Sequence, residues 1–268
     1  MMILRALITA AVLALAAGAP ADQASLAPAR ELIKTVAANE LKDRIQQLKW
    51  MYVIDKRVGN QTVSEEQVET AQGPLYQVRA IDGRPLTADQ RQKDDARIAG
   101  LLRDPSQQLK LKQQQDDDEK KLENLLRVMP DAFLYNFDGV DGNFVRLKFR
   151  PDPNYQPPSY EARVVHSLAG TVLIDPQEKR LAKLSGQIMN QVDFGFGFLG
   201  HIDKGGTIEI GRVEAGPAQW KTALINIQLS GRLIFFQTID KQEYETRSNF
   251  RRVSGDLSLP AARELLGR

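Results

Sequence analysis

The sequence predicts an α+β fold built around a large curved antiparallel β-sheet of about eleven strands. Most of the 268-residue chain alternates apolar and polar residues with a period of two, and the connections are too short for the crossovers that parallel strands need. One stretch, 84–129, instead repeats its apolar residues at helical spacing. No period of 20 to 50 residues recurs, which excludes a solenoid or a propeller.

The first residues have the pattern of a secretory signal peptide. A short positive segment ends at Arg5, an apolar run covers Ala6 to Ala17, and Ala19-Pro20-Ala21 matches an A-x-A cleavage site. The apolar run is shorter than the roughly 20 residues that span a bilayer. We therefore expect a signal peptide at 1–21 and one exported domain at 22–268, with the alternative of a retained N-terminal anchor helix.

Composition limits the classes of partner and of compartment chemistry. The chain has no cysteine, which excludes a disulfide framework and the lipid attachment of a bacterial lipoprotein. Basic and acidic residues number 36 and 34, so no field of one sign attracts nucleic acid. We expect no nucleic-acid partner, no integral membrane span in the mature chain and no cofactor.

A helix and a β-meander open the mature chain. Ile33, Ala37 and Leu41 recur at four-residue spacing and predict a helix from Ala27 to about Leu41. The period then changes to two at Trp50 and Tyr52, which predicts the first strand.

A charged helical insertion at 84–129 interrupts the sheet. Thr87 and Gln90 form the pattern of a capping box, and Asp104-Pro105 places an N-cap before a proline at the first helical position. Pro130 is expected to stop the second helix. The acidic run 116–119 lacks the spacing of a calcium loop and is interpreted as a solvated helix face paired with lysines.

Strands dominate from Phe133 to 253, and a short helix is expected at Pro260–Leu266. Several aromatic side chains alternate along these strands and along the first one. The candidate ligand-binding residues, on this basis, are Trp50, Tyr52, Phe133, Tyr135, Phe194, Phe196 and Phe198. A row of rings on one face of a strand fits a packed core, and it equally fits an apolar groove for an acyl chain; both interpretations stay open.

Patterns typical of catalysis are missing from the sequence. The only histidines are His166 and His201, and they are not at metal-ligand spacing. No G-x-S-x-G elbow and no cysteine nucleophile occur. Paired carboxylates, as in a glycosidase, are compatible with any chain this rich in acidic residues. We expect a protein that is not an enzyme, with no catalytic residue and no metal ligand.

The order of elements resembles the periplasmic outer-membrane lipoprotein-sorting (LolA/LolB-like) superfamily. The likeness consists of an opening helix, a meander, mid-chain helices and long strands, together with the hairpin formed by 170–175 and 180–184. It implies a half-barrel with helices covering the concave face as a lid, an apolar cavity for acyl chains, and no catalysis.

Taken together, these observations predict a periplasmic carrier or sensor that binds lipidated or amphiphilic ligands in an apolar groove. Its expected partners are lipid acyl chains or lipoproteins, with another envelope protein as a further partner. Two alternatives remain at this point: an interaction scaffold of the envelope without a small ligand, and an envelope hydrolase.

Overall fold

The computed structural model describes residues 21–46, 48–194, 200–233 and 237–267. Apart from Ala21, the predicted signal peptide lies outside the described residues. The five helices of the described chain are Ala21–Gln46 (α1), Ala88–Arg103 (α2), Pro105–Ala132 (α3), Tyr160–His166 (α4) and Leu259–Leu266 (α5). Its strands are Lys49–Val58 (β1), Gln61–Val68 (β2), Leu75–Ile81 (β3), Arg84–Pro85 (β4), Phe133–Asp141 (β5), Phe144–Pro151 (β6), Leu168–Asp175 (β7), Arg180–Ile188 (β8), Val192–Phe194 (β9), Gly200–Ile202 (β10), Thr207–Gly216 (β11), Gln219–Leu233 (β12) and Gln237–Val253 (β13).

These strands form one open antiparallel sheet, which confirms the predicted α+β fold class. The order is β4-β3-β2-β1-β13-β12-β11-β8-β7-β6-β5, and the short strands β9 and β10 form a branch that pairs with β12. The first strand lies between β2 and β13. The pairing of β1 with β13 therefore joins the meander of β1 to β4 to the later strands of the sheet.

Alternation along β1 separates the two faces of the sheet. Trp50, Tyr52 and Ile54 point to one face, and Met51 points to the other. The register of the strands shows which residues share the face of Ile54 across the sheet. In order from β13 to β5 they are Arg247, Glu245, Ile225, Ile210, Leu184, Val172, Leu147 and Phe137. We call this face the α1 face, because α1 packs on it.

The larger core lies on the α1 face, between α1, the end of α3 and strands β5 to β8. Its buried side chains are Ala29, Ile33, Val36, Ala132, Phe133, Tyr135, Leu147, Phe149, Leu168, Val172, Ile174, Ile188, Val192 and Ile202. A smaller core lies on the opposite face, where α2 and α5 cover β1, β2 and β3; it contains Met51, Val68, Leu75, Ile98, Leu101, Leu259, Ala262 and Leu266. The helices are thus divided between the two faces, which the sequence pattern alone did not indicate.

Helix α2 also covers the edge of the sheet at β3. The backbone N–H of Val78 donates to the Asp94 carboxylate at 3.0 Å, and the Arg97 guanidinium donates to the carbonyl of Tyr76 at 2.7 Å. Side chains of α2 therefore satisfy the free backbone groups of a strand that pairs with β4 only at its end, and they protect it from adding a foreign strand.

The predicted starts of α2 and α3 are confirmed, whereas α1 begins at Ala21 instead of the predicted Ala27. The Thr87 hydroxyl accepts from the amide of Gln90, and the Gln90 side chain accepts from the amide of Thr87. Asp104 caps α3 by accepting from the amide of Ser106 at 3.0 Å. The predicted end of α3 is wrong, because the helix continues through Pro130 to Ala132. Its last carbonyls have partners outside the helix: Arg30 donates to Pro130 at 3.1 Å and the Tyr135 hydroxyl to Met129 at 3.0 Å.

Candidate functional site

A cavity of about 490 Å³ opens between the middle of α3, the second half of α1 and the end of the sheet formed by β1, β12 and β13. Its lining residues are Glu40, Asp43, Leu48, Lys49, Tyr52, Glu69, Thr70, Gly73, Lys112, Asp116, Glu119, Lys120, Glu123, Arg212, Gln219, Trp220, Lys221, Thr222, Arg247 and Phe250. We call the part contributed by the strands and their adjoining loops the sheet wall, and the part contributed by α3 the helix wall.

Aromatic rings and cations alternate on the sheet wall. The rings of Tyr52 and Phe250 pack with centroids 5.4 Å apart. The Lys221 ammonium lies 5.3 Å from the ring centroid of Trp50, and the Arg247 guanidinium lies 5.6 Å from that of Tyr52. These are cation–π distances, so the positive charges are held against apolar rings at the boundary of the cavity.

Glu69 is the carboxyl group at the centre of the sheet wall. It accepts from the backbone N–H of Trp50 at 3.1 Å and from the Tyr52 hydroxyl at 3.5 Å. Burial raises the pKa of Glu69 above its ordinary value, although Lys221, Lys49 and Arg247 all act to lower it. Burial also raises the pKa of Tyr52 far above its ordinary value, so Tyr52 stays a neutral phenol. A carboxyl group with a shifted pKa in a cavity is typical of functional sites.

The helix wall is one face of α3. Its cavity-lining residues follow one another at spacings of four, three, one and three, which places them on the same side of the helix. They are Lys112, Asp116, Glu119, Lys120 and Glu123. Lys112 and Asp116 form an ion pair at 2.6 Å. The acidic run 116–119 is exposed at Asp116, Asp117 and Glu119 and pairs with lysines, as its interpretation as a solvated helix face predicted, and part of this exposed face also borders the cavity.

The helix wall is anchored at its N-terminal end by Gln108. This side chain is buried and donates to the carbonyl of Pro74 at 2.9 Å. Gly73 lies beside it with a φ of +110°, and a Cβ at that position would lie 2.9 Å from the Gln108 amide nitrogen. Both the backbone conformation and the close approach require glycine there.

Helix α1 is fixed beside the cavity by a buried ionic network. Glu40 is 4% exposed and pairs with Arg180, 3.5 Å away, and with Arg212. Arg180, also 4% exposed, pairs in addition with Asp43 and donates to the carbonyl of Asn39 at 2.8 Å. The network joins α1 to β8 and β11, and it supplies the cavity residues Glu40, Asp43 and Arg212.

The structure separates the aromatic residues that the sequence singled out. Tyr52 lines the cavity, and Trp50 is buried directly beside it. Phe133 and Tyr135 lie on the same face of the sheet but in the larger core, covered by α1, and Phe194 packs partly buried against that core. Phe196 and Phe198 lie outside the described residues.

Sequence reasoning missed the charged half of the cavity. Glu69 follows the last residue of a polar strand, and Arg180 opens a strand after a turn, so neither position carries a local signal. Glu40 and Arg180 are 140 residues apart in the chain, and only the tertiary fold brings them together. The predicted apolar groove is, at this place, a cavity of mixed aromatic and charged lining.

The two histidines lie elsewhere. His166 contacts the carbonyl of Asp152 at 3.2 Å, and His201 lies 3.2 Å from Asp203. Within the described ranges, no group of three or more His, Asp or Glu residues is placed to hold a metal ion. None of the described helices is long and apolar enough to cross a membrane.

Comparison with protein-family models, with curated proteins and with solved structures finds no match to this chain. The resemblance to the lipoprotein-sorting superfamily therefore stays a prediction.

Proposed function

We propose that this chain is a non-catalytic carrier or sensor of small amphiphilic ligands, exported to the periplasm, and that the ligand binds in the cavity between the sheet wall and the helix wall. The observation that carries the proposal is the composition of the sheet wall, which presents packed aromatic rings and charged groups to the same space. A ligand with an apolar part and a charged part is complementary to such a surface.

The size of the cavity supports a small ligand. Small-molecule sites have volumes of roughly 300 to 1,000 Å³, and the cavity has about 490 Å³. A site of this size suits a single short chain or an aromatic group together with one head group. Each buried CH₂ group of such a chain would contribute about 0.8 kcal/mol to binding.

Helix α3 crosses over the cavity, and large apolar side chains on either side of the crossing are exposed. This suits a site that must take up and release a ligand. Leu109 and Leu122 of α3, on either side of the crossing, are 63% and 42% exposed. Among the described side chains of α3, the apolar ones that belong to the buried set or pack against the larger core are Leu126, Met129 and Ala132, near the end of the helix. Movement of the crossing segment would therefore cost little buried apolar area.

Native mass spectrometry of the full chain, together with organic extraction of the purified protein, tests the proposal. We expect a bound amphiphile in stoichiometric amount, lost in Phe250→Ala but retained in Phe144→Ala, whose ring lies on β6 away from the cavity. A clean apo mass that does not shift after incubation with alkyl amphiphiles would contradict the proposal. Turnover of an ester or a glycoside by the pure protein would contradict its non-catalytic part.

A further inference from the structure

We infer that the head group of the ligand is zwitterionic, with an anionic group and a cationic group a few bonds apart, as in a phosphocholine. The inference rests on the proposed function and names the chemical class of the head group. It is drawn from the balance of charge in the cavity lining and from the way in which the two signs are distributed over that lining.

The lining of the cavity carries as many acidic as basic side chains. Six of its residues are acidic and six are basic. A head group with a charge of one sign therefore meets like charges as well as opposite ones, and the lining as a whole favours neither an anion nor a cation. A head group with both signs can place each of its charges beside an opposite one.

The two signs come mainly from different sides of the cavity. The strands and their adjoining loops contribute one acidic residue, Glu69, and four basic residues, which are Lys49, Arg212, Lys221 and Arg247. Helices α1 and α3 contribute the other five acidic residues and two lysines. A dipolar head group matches this distribution when its anionic end lies towards the sheet wall and its cationic end towards the helices.

Charged side chains of the lining already have partners. Glu40 pairs with Arg212, and on the helix wall Lys112 pairs with Asp116 at 2.6 Å. Lys221 also has an interaction partner. A head group of one sign that enters between two paired side chains binds one of them and leaves the other unpaired, which costs free energy where the charge is partly buried. A zwitterion supplies a partner to both.

Exchange of partners is easiest on the helix wall. The side chains of Lys112 and Asp116 are 38% and 49% exposed, and exposed ion pairs contribute little to stability. The pair of Glu40 with Arg212 is buried, by contrast, and belongs to the network that fixes α1. A zwitterionic head group can therefore insert between charges of the helix wall while the network beneath α1 stays intact.

Calorimetric titration with four amphiphiles of equal chain length tests the inference. Decylphosphocholine is zwitterionic, decyl phosphate is anionic, decyltrimethylammonium is cationic and decyl maltoside is uncharged. Each is used below the concentration at which it forms micelles. We expect decylphosphocholine to bind at least about fivefold more tightly than each of the other three, because both of its charges gain a partner.

The titrations separate the inference from the proposed function. If any of the other three amphiphiles bound as tightly as decylphosphocholine, the inference would be overturned and the proposed function would stand. Absence of binding for all four would overturn the proposed function itself.

Two variants of α3 test whether balance of charge is the cause. Glu123→Gln leaves the lining with an excess of positive charge, and Lys120→Gln leaves it with an excess of negative charge. We expect Glu123→Gln to strengthen binding of decyl phosphate and Lys120→Gln to strengthen binding of decyltrimethylammonium, each by about two- to fivefold. Circular dichroism melting of each variant shows that it is folded.

The matched control is Lys121→Gln. It changes the net charge of the protein as Lys120→Gln does, but Lys121 is exposed and does not line the cavity. We expect it to leave all four affinities unchanged. If Lys121→Gln strengthened decyltrimethylammonium as much as Lys120→Gln, or if neither lining variant strengthened its ionic amphiphile, the inference would be wrong.

Discussion

Glu69 shows how one side chain links the stability of this protein to its site. Its carboxyl is surrounded by Tyr52, by the cations Lys49, Lys221 and Arg247, and by the backbone N–H of Trp50. Burial still dominates and raises its pKa. Ionised Glu69 is therefore less favourable in the folded state than in the unfolded state. This lowers the free energy of unfolding, and the effect is fully present at pH values above the pKa of Glu69 in the folded protein.

We predict that Glu69→Gln raises the unfolding midpoint at pH 7 to 8. The amide keeps an oxygen to accept from Trp50 and carries no charge to bury. The gain should shrink as the pH falls towards the ordinary pKa of glutamate, because wild-type Glu69 is then protonated in the folded and unfolded states alike. Thermal melts of both proteins across this range measure the effect. A gain that stays constant with pH would show that ionisation of Glu69 is not its cause.

Arg180 is the residue on which the position of α1 depends. Removing its charge leaves Asp43 without its cation and Glu40 with Arg212 as its remaining partner in the network. We predict that Arg180→Met lowers the free energy of unfolding by about 3 kcal/mol, the usual cost of breaking a buried ion pair by removing one partner. Urea denaturation measures it, with the exposed Arg150→Met as the control, expected within about 0.5 kcal/mol of wild type. Equal effects of the two substitutions would contradict the structural role of the network.

At the scale of elements, Gly170 is the described glycine with the least room for a side chain, at the pairing of β7 with β8. A Cβ on Gly170 would lie 1.9 Å from the carbonyl oxygen of Ser185, which is backbone and cannot turn away. We predict that Gly170→Ala destabilises the protein by about 3 kcal/mol or prevents folding. The matched control is Gly100→Ala in α2, where a Cβ meets nothing within 4 Å; that substitution should stabilise by about 1 kcal/mol through helix propensity. Opposite signs in chemical denaturation are expected, and a neutral Gly170→Ala would contradict the described pairing of β7 with β8.

Local patterns predicted those elements that depend on local physics. The capping box of α2, the Asp104 cap of α3 and the alternation of β1 follow from the interactions of residues near one another in the chain. The prediction failed where contacts between residues far apart in the chain determine the local structure. Pro130 lies inside the last turn of α3, where Arg30 and Tyr135, which are distant from one another in the chain, donate to the carbonyls of Pro130 and Met129. The pairing of β5 with β6 likewise contains an irregularity, between Phe137 and Val140, that alternation along a single strand does not reveal.

At the scale of the whole molecule, the sheet depends on contacts between the two ends of the chain. Strand β1 pairs with β13, and Ile54 thereby shares a face with residues as distant as Tyr135. Sequence alternation indicated which rings share a strand face, and it could not indicate which of them α1 would cover. For that reason Tyr52 was predicted together with Phe133, although only Tyr52 lines the cavity.

Both tryptophans of the chain lie at the cavity, which makes its occupancy directly measurable. Trp220 lines the cavity, and Trp50 lies beneath Lys221. The chain contains no cysteine, so a single introduced cysteine can be labelled specifically. Lys120 lines the cavity, whereas Lys121, the next residue of α3, is exposed outside it.

The most direct test of the account is therefore a tryptophan-fluorescence titration with decylphosphocholine of Lys120→Cys and Lys121→Cys, each labelled with a bulky maleimide. We expect a saturable change in emission for the wild type and for labelled Lys121→Cys, and none for labelled Lys120→Cys, because its label occupies the cavity. Equal titrations of the two labelled proteins would contradict binding in this cavity and the proposal that the space between sheet and helix is the functional site.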